Sequence, residues 1–234
     1  MSEILIGVAH GSKDPRAAEV VDELLAQVRV PATVRAAYLG HAVPSLPQVL
    51  SSVSGSSVSV VPLLLTAAYH SKVDIPRVLP PGVRYGDVLG PHPALHRVLD
   101  RRLAAAGAGP RSRLSTAVVL AAAGSSDLAA AVTVAQFAAR WRARSGWREV
   151  VPAYASAASP TVAEAVSALH ARGLRRVVVA TYLLAPGYFA DRIRAEAEAA
   201  GAVAVSDALG AAPELAEIVA ERYLAAQRHR SRAA

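Results

Sequence analysis

The stretch Ile4-Leu-Ile-Gly-Val-Ala-His-Gly-Ser-Lys-Asp-Pro-Arg16 begins with an apolar run that ends at His10 and turns polar at Gly11. An apolar run followed by a glycine turn and a proline is typical of a buried β-strand that leads into a helix. A second stretch repeats the pattern, with His70 at the end of its apolar run: Val60-Val-Pro-Leu-Leu-Leu-Thr-Ala-Ala-Tyr-His-Ser-Lys-Val-Asp-Ile-Pro76. Both imidazoles are therefore predicted at the carboxyl edge of a sheet, where open α/β folds bind their ligands.

Two imidazoles at one sheet edge predict metal or proton chemistry. Imidazole binds Fe, Co, Ni or Zn and, when neutral, accepts a proton. The chain contains no cysteine, which excludes disulfides, thiolate zinc sites and iron–sulfur ligation, so any metal must be held by nitrogen and oxygen. The sequence also lacks a P-loop, a dinucleotide-binding glycine motif and a Gly-x-Ser-x-Gly elbow, and we expect no organic cofactor.

Apolar runs alternate with helical patterns along the whole chain. Strands are predicted at residues 4–9, 33–39, 58–65, 84–89, 117–122, 149–154, 177–184 and 203–208. Strands that alternate with helices in this way predict parallel sheets covered by helices.

The second half of the chain repeats the first. Residues 8–14 match 121–127, residues 60–75 run parallel to 178–193, and residues 87–95 match 207–215. The predicted fold class is α/β, with two tandem, duplicated, doubly wound parallel-sheet domains and a cleft between them. The predicted domains are residues 1–108 and 114–234, joined by a linker rich in small residues.

The two copies differ at the imidazole positions. Ala123 takes the place of His10, and Tyr188 takes the place of His70. The first domain is therefore predicted to supply the chemistry, while the second, degenerate copy shapes the pocket.

Four blocks of the first domain resemble the sirohydrochlorin chelatase and cobaltochelatase family. They are His10 to Arg16; Ala36-Ala-Tyr-Leu with Pro44-Ser-Leu; Pro62-Leu-Leu-Leu with His70 and Asp74-Ile-Pro; and Leu89-Gly-Pro-His-Pro-Ala-Leu95. The resemblance implies a two-domain class II chelatase with the tetrapyrrole between the domains. It also implies a lyase that inserts Co²⁺ or Fe²⁺, with Ni²⁺ a further candidate, into sirohydrochlorin for cobalamin or siroheme biosynthesis. The metal would be a substrate.

With the resemblance, His10 and His70 are predicted to be catalytic and to bind the metal. The residues expected to meet the carboxylates of the macrocycle are Ser12, Lys13, Arg16, Lys72 and His92. Ser12 and Lys13 offer donors beside a predicted helix start, where anions bind readily. Arg16 and Lys72 offer positive charge.

One position departs from the family. A Glu commonly follows the second strand in these chelatases, whereas here Tyr38-Leu39 is followed by Gly40 and His41. Either His41 acts as the third metal ligand or base, turned inward beside a flexible glycine, or it is a solvated loop residue and the third group is lost.

Two further residue pairs leave alternatives open. Asp74 could interact with a helix dipole or fix the tautomer of His70. His92 and His96 have the spacing of a metal pair on a helix. They also fit a strand-to-helix turn in which His92 lines the sheet edge and His96 is exposed.

The formal net charge of +7 has two interpretations. A basic cleft would attract sirohydrochlorin, which carries eight carboxylates, or the charge reflects an arginine-rich composition. No nucleic-acid motif or long apolar segment is present, so we expect no nucleic-acid or membrane partner and a cytoplasmic protein. The duplication replaces a two-fold dimer, which predicts a monomer. The alternative function is a metal or tetrapyrrole carrier without catalysis.

Overall fold

The computed structural model describes residues 3–230, without the side chains of 229 and 230. The outermost ends of the predicted domains, residues 1–2 and 231–234, lie outside this range. The strands are β1 (Glu3–Ala9), β2 (Thr33–Tyr38), β3 (Ser57–Pro62), β4 (Arg84–Tyr85), β5 (Ala117–Ala122), β6 (Glu149–Tyr154), β7 (Val177–Tyr182) and β8 (Ala204–Val205). All eight predicted strands are present, and β4 and β8 are much shorter than predicted.

Helices follow the strands as the alternating pattern predicts. They are α1 (Pro15–Ala26), α2 (Leu46–Ser52), α3 (Ile75–Val78), α4 (Leu95–Ala105), α5 (Leu128–Ser145), α6 (Val162–Ala171), α7 (Tyr188–Ala199) and α8 (Pro213–Arg230). A π-helical turn (His70–Asp74) leads directly into α3, and a 3₁₀ turn (Pro110–Ser115) precedes β5.

Two four-stranded sheets confirm the predicted fold class. Their strand orders are β2-β1-β3-β4 and β6-β5-β7-β8, and every paired strand is parallel. The central strands of each sheet, β1 with β3 and β5 with β7, are almost wholly buried. This burial explains their continuous apolar runs, because helices cover both faces of a parallel sheet.

The chain divides into two compact units. The first comprises the residues up to His92 together with those from Ala211 onward, and the second is Pro93–Gly210. Helix α8 accordingly packs on β3 and β4, and α4 packs on β7. The units therefore differ from the sequential domains 1–108 and 114–234, because each of those would retain the helix that follows its own last strand.

Among residues 3–230, none of the helices combines the length and the apolarity needed to cross a bilayer.

Candidate functional site

The candidate site lies at the carboxyl edge of the first sheet. Strand β1 connects to β2 on one side, whereas β3 connects to β4 on the other side. The chain thus diverges between β1 and β3, and such a switch point leaves a crevice in which α/β proteins bind ligands. His10 directly follows β1, and His70 begins the π-helical turn after the loop that follows β3.

The structure brings the two predicted imidazoles together. The ring centroids of His10 and His70 are 4.8 Å apart, and the rings are nearly perpendicular. The ring centroid of His41 lies 6.4 Å from that of His10, and the two rings are roughly parallel. The prediction that the strand ends bring His10 and His70 together therefore agrees with their positions.

Backbone contacts between two loops fix the position of His41 relative to His10. Beyond the ends of β1 and β2, the Gly40 N–H donates to the carbonyl of His10 over 3.0 Å. Gly11 has a φ of +89°, and a Cβ at this residue would lie 1.7 Å from the carbonyl oxygen of Gly40. Only glycine fits this approach, so the turn that follows His10 depends on Gly11.

The second unit is built in the same way but has no imidazoles at this edge. Gly124 has a φ of +94°, and a Cβ there would lie 1.8 Å from the carbonyl oxygen of Ser156. His41 and Ala157 share a positive φ, 59° and 54°. The duplicated backbone therefore keeps its loop geometry where Ala123 replaces His10.

Asp74 contacts His70 directly. Its Oδ2 lies 2.6 Å from Nδ1 of His70, and both side chains are partly exposed. A carboxylate accepts hydrogen bonds, so Nδ1 carries the proton and Nε2 keeps its lone pair for a metal or a proton. Of the two roles considered for Asp74, the structure favours the one that fixes the tautomer of His70.

His10 has the same tautomer preference. Its Nδ1 lies 3.1 Å from the carbonyl oxygen of Gly11, which can only accept a hydrogen bond. Nε2 of His10 is therefore also the nitrogen with the lone pair. The imidazole pair presents two nitrogen donors, as a metal with nitrogen ligands requires.

Four of the five residues predicted to bind substrate carboxylates lie in two segments: Ser12, Lys13 and Arg16 at the start of α1, and Lys72 in the π-helical turn. Ser12 Oγ accepts from the Asp14 N–H over 3.0 Å, and Asp14 in turn caps α1 and pairs with Arg16. Hydrogen bonds from Arg16 hold the pKa of Asp14 below its usual value. Much of the Arg16 charge is therefore neutralised locally. Lys13 and Lys72 have exposed side chains.

His92 and His96 do not form a metal pair. His92 Nε2 lies 3.3 Å from Glu221 Oε2. His96 is 8% exposed and stacks on Phe137 and Trp141, with centroid distances of 4.3 and 6.2 Å. The expectation that His96 is exposed is wrong, because the face of α4 that carries it packs in the second unit.

Across residues 3–230, no three His, Asp or Glu side chains are close enough together to hold a metal ion, so His41 does not complete a three-ligand set in this conformation.

Tyr69 places its ring centroid 6.3 Å from that of His70, edge-on. The only sequence signal for Tyr69 was its position directly before His70.

The family model CbiX matches residues 4–106 and 117–226. The sirohydrochlorin ferrochelatase of Priestia megaterium is 28% identical over 149 residues, which cover 60% of this chain and 55% of that protein. The matched region thus spans about half the length of this relative.

Solved structures with similar folds include two SirB proteins. SirB from Bacillus subtilis with Fe³⁺ has a TM-score of 0.79 and 24% identity, and the match covers 97% of this chain and 96% of that one. The sirohydrochlorin chelatase SirB from Bacillus subtilis subspecies spizizenii, in complex with cobalt, has a TM-score of 0.76 and 21% identity over 97% and 95% of the chains. At these identities the likeness shows the fold. Because the family model spans nearly all of both halves, the chain belongs to the CbiX family.

Proposed function

We propose that this protein is a chelatase that inserts a divalent metal ion into sirohydrochlorin. The observation that carries the proposal is the His10–His70 pair at the switch point of the first sheet, with ring centroids 4.8 Å apart. Hydrogen bonds at both Nδ1 atoms leave each Nε2 as a donor toward a metal. A relative is a sirohydrochlorin ferrochelatase, which supports the substrate.

The metal is a substrate in this proposal. The two SirB structures contain Fe³⁺ and cobalt, and imidazole nitrogen suits Fe²⁺, Co²⁺ and Ni²⁺ alike. Iron insertion would yield siroheme, and cobalt insertion would lead toward cobalamin. Sites with nitrogen and oxygen ligands bind these divalent metals in the same general order of affinity. Affinity alone therefore does not select the metal, and the geometry of the site and the supply of metals in the cell decide which one is inserted.

The reaction exchanges one metal ion for two protons. Four macrocycle nitrogens bind M²⁺, and the two pyrrole N–H groups each release a proton. His10 and His70 hold the incoming metal through Nε2 and then, as the metal moves to the macrocycle nitrogens, accept these protons directly or through water. Asp74 keeps the Nδ1 proton of His70 in a hydrogen bond at that point, because its carboxylate faces Nδ1.

His41 is proposed as the third metal ligand. Its ring lies 6.4 Å from that of His10, on a loop whose backbone is fixed by the contact between Gly11 and Gly40. A rotation of the exposed His41 side chain would bring a third nitrogen toward the pair, with no movement of the backbone.

The periphery of the macrocycle supplies binding energy. We propose that Lys13 and Lys72 meet its carboxylates, with Ser12, Arg16 and His92 contributing donors. Binding at the periphery can distort the macrocycle so that a nitrogen lone pair projects toward the metal, which lowers the barrier to insertion.

A carrier that binds metal or tetrapyrrole without catalysis is the second candidate. It is favoured by the replacement of the expected Glu by Gly40-His41 and by the incomplete three-ligand set within residues 3–230. Such a protein would bind both ligands without accelerating their reaction.

Anaerobic absorbance of sirohydrochlorin with Co²⁺, and separately with Fe²⁺, distinguishes these functions. The wild type is expected to insert at least one metal faster than the uncatalysed reaction, and His10→Ala is expected to lose that acceleration. An uncatalysed rate for both metals, together with stoichiometric binding, would instead establish the carrier.

A further inference from the structure

The aromatic side chains of the described residues are distributed unevenly. Among residues 3–230, the exposed ones are Tyr69, Tyr188 and Phe189, at 61%, 72% and 38%, whereas the remaining Phe, Tyr and Trp side chains are buried or half-buried. All three exposed rings follow a central strand of a sheet: Tyr69 follows β3, and the other two follow β7. Exposure of a large ring costs hydrophobic stabilisation, and ligands bind beyond the carboxyl ends of the strands in parallel α/β sheets, so an exposed ring at that position points to a ligand.

Tyr69 lies next to the imidazole pair. Its ring meets the ring of His70 edge-on at 6.3 Å, and His70 meets His10 at 4.8 Å. Val73 follows on the π-helical turn and is 40% exposed. An exposed aromatic ring therefore borders the imidazole pair, and an exposed aliphatic side chain follows it four residues later on the same turn.

Exposed lysines lie close to Tyr69 and to His10 in the sequence. Lys72 stands between Tyr69 and Val73 in sequence and is exposed, as is Lys13 near His10. An apolar contact next to lysines matches a ligand with a conjugated face and a carboxylate rim. A tetrapyrrole has this combination.

We propose that Tyr69, with Val73 beside it, packs against the conjugated face of the macrocycle while the metal is held by His10 and His70. The proposal rests on the proposed function and adds a substrate-binding residue to it. Aromatic rings favour offset stacking with a second π-system, and the hydroxyl of a tyrosine can remain hydrated at the rim. Tyr69 thereby sets the affinity for the tetrapyrrole without binding the metal.

A purely structural role for Tyr69 makes a different prediction. If its edge contact serves to orient His70, removal of the ring weakens metal binding by the protein alone. If the ring contacts the macrocycle, its removal weakens macrocycle binding and leaves the affinity for the metal alone unchanged. Measurements with each ligand by itself therefore distinguish the two roles.

The test compares Tyr69→Ala and Tyr69→Phe with the control Leu224→Ala, which removes an exposed apolar side chain of α8 in the same unit. KM for sirohydrochlorin and kcat are measured during Co²⁺ insertion, and Co²⁺ binding is measured without the macrocycle. Tyr69→Ala is expected to raise KM about threefold to tenfold, with a smaller effect on kcat. Tyr69→Phe is expected to recover most of the loss, and Leu224→Ala to behave as the wild type.

An unchanged KM in Tyr69→Ala, or a loss of Co²⁺ affinity as large as the loss of macrocycle affinity, would overturn the proposal. If the wild type itself inserts no metal, the proposed function fails. Tyr69 is then tested by titration of the wild type and Tyr69→Ala with metal-free sirohydrochlorin, where a weaker Kd in the variant supports the contact and an equal Kd refutes it.

Discussion

Asp74 Oδ2 and His70 Nδ1 are 2.6 Å apart within one π-helical turn. The turn places residues four apart on the same side, and it leads straight into α3 without a break. π-Helical turns are rare and occur frequently at functional sites. The contact gives the carboxylate a defined partner, the imidazole that faces His10.

Substitution of Asp74 by Asn tests whether this contact prepares His70 for metal binding. An amide can donate as well as accept, so it permits the tautomer in which Nε2 carries the proton. We expect Asp74→Asn to weaken Co²⁺ binding and to slow metal insertion about 10- to 100-fold. Absorption spectroscopy of bound Co²⁺ and the insertion assay measure the two effects.

Asp22→Asn is the matched control for charge, because Asp22 is an exposed carboxylate on α1. This variant has the same change in net charge and is expected to bind Co²⁺ as the wild type does. Equal Co²⁺ affinities in Asp74→Asn and Asp22→Asn would show that the contact with His70 plays no part in metal binding.

Gly11→Ala is expected to destabilise the turn after β1. The positive φ costs an alanine about 1–2 kcal/mol, and the Gly40 carbonyl would have to move, because the new Cβ would lie 1.7 Å from its oxygen. Such backbone strain adds about 1–3 kcal/mol. Urea unfolding should therefore show a larger loss of free energy than the φ penalty alone explains.

Gly55→Ala provides the reference, since Gly55 also has a positive φ, +82°, but its Cβ would meet no atom within 4 Å. Gly55→Ala is expected to lose only the free energy of unfolding that the positive φ costs an alanine. If Gly11→Ala were no less stable than Gly55→Ala, the close approach of the two loops would not constrain the turn.

The sequence predicted the pairing of His10 and His70 because that pairing follows from strand order. Each residue ends an apolar run, and the ends of adjacent parallel strands meet at one edge. The hydrogen bond of Asp74 was harder to predict, since its spacing from His70 suits both a helix dipole interaction and a side-chain contact. Only the conformation of the turn decides between them.

The burial of His96 could not be predicted from local sequence. Its spacing from His92 was visible, but its stacking partners Phe137 and Trp141 lie on α5, in a later part of the chain. The same limitation affected the domain boundaries. The repeats 87–95 and 207–215 each predict a helix after a strand, and neither repeat indicates which sheet that helix covers.

His41→Asn tests the third imidazole without disturbing its loop. His41 has a φ of 59°, and Asn tolerates this left-handed conformation better than most residues do. We expect Co²⁺ affinity to fall about tenfold on loss of the ligand, with unchanged unfolding by urea. Val43→Ala, which shortens an 81% exposed side chain of the same loop, is the control, and equal Co²⁺ affinities in the two variants would assign His41 to the solvated loop.

His96 makes the stability of the second unit depend on pH. Burial lowers the pKa of His96 below its ordinary value of 6.5; Arg144 and Arg140 act in the same direction, and Asp100 and the Phe137 backbone act against it. Below pH 6.5, His96 binds a proton in the unfolded chain but not in the folded chain. The contribution of His96 therefore lowers the free energy of unfolding as the pH falls toward the pKa of His96 in the folded chain. The slope from this single group cannot exceed about 1.4 kcal/mol per pH unit.

Urea unfolding of the wild type and His96→Leu between pH 5 and pH 8 measures this contribution. Because leucine does not titrate, the difference in free energy of unfolding between the two proteins should shift in favour of His96→Leu as pH falls below 6.5. Val98→Ala, which creates a cavity at a fully buried position of the same helix, should lose a similar free energy at every pH. A difference between wild type and His96→Leu that stays constant from pH 8 to pH 5 would mean that His96 gains its proton as easily in the folded chain as in the unfolded one.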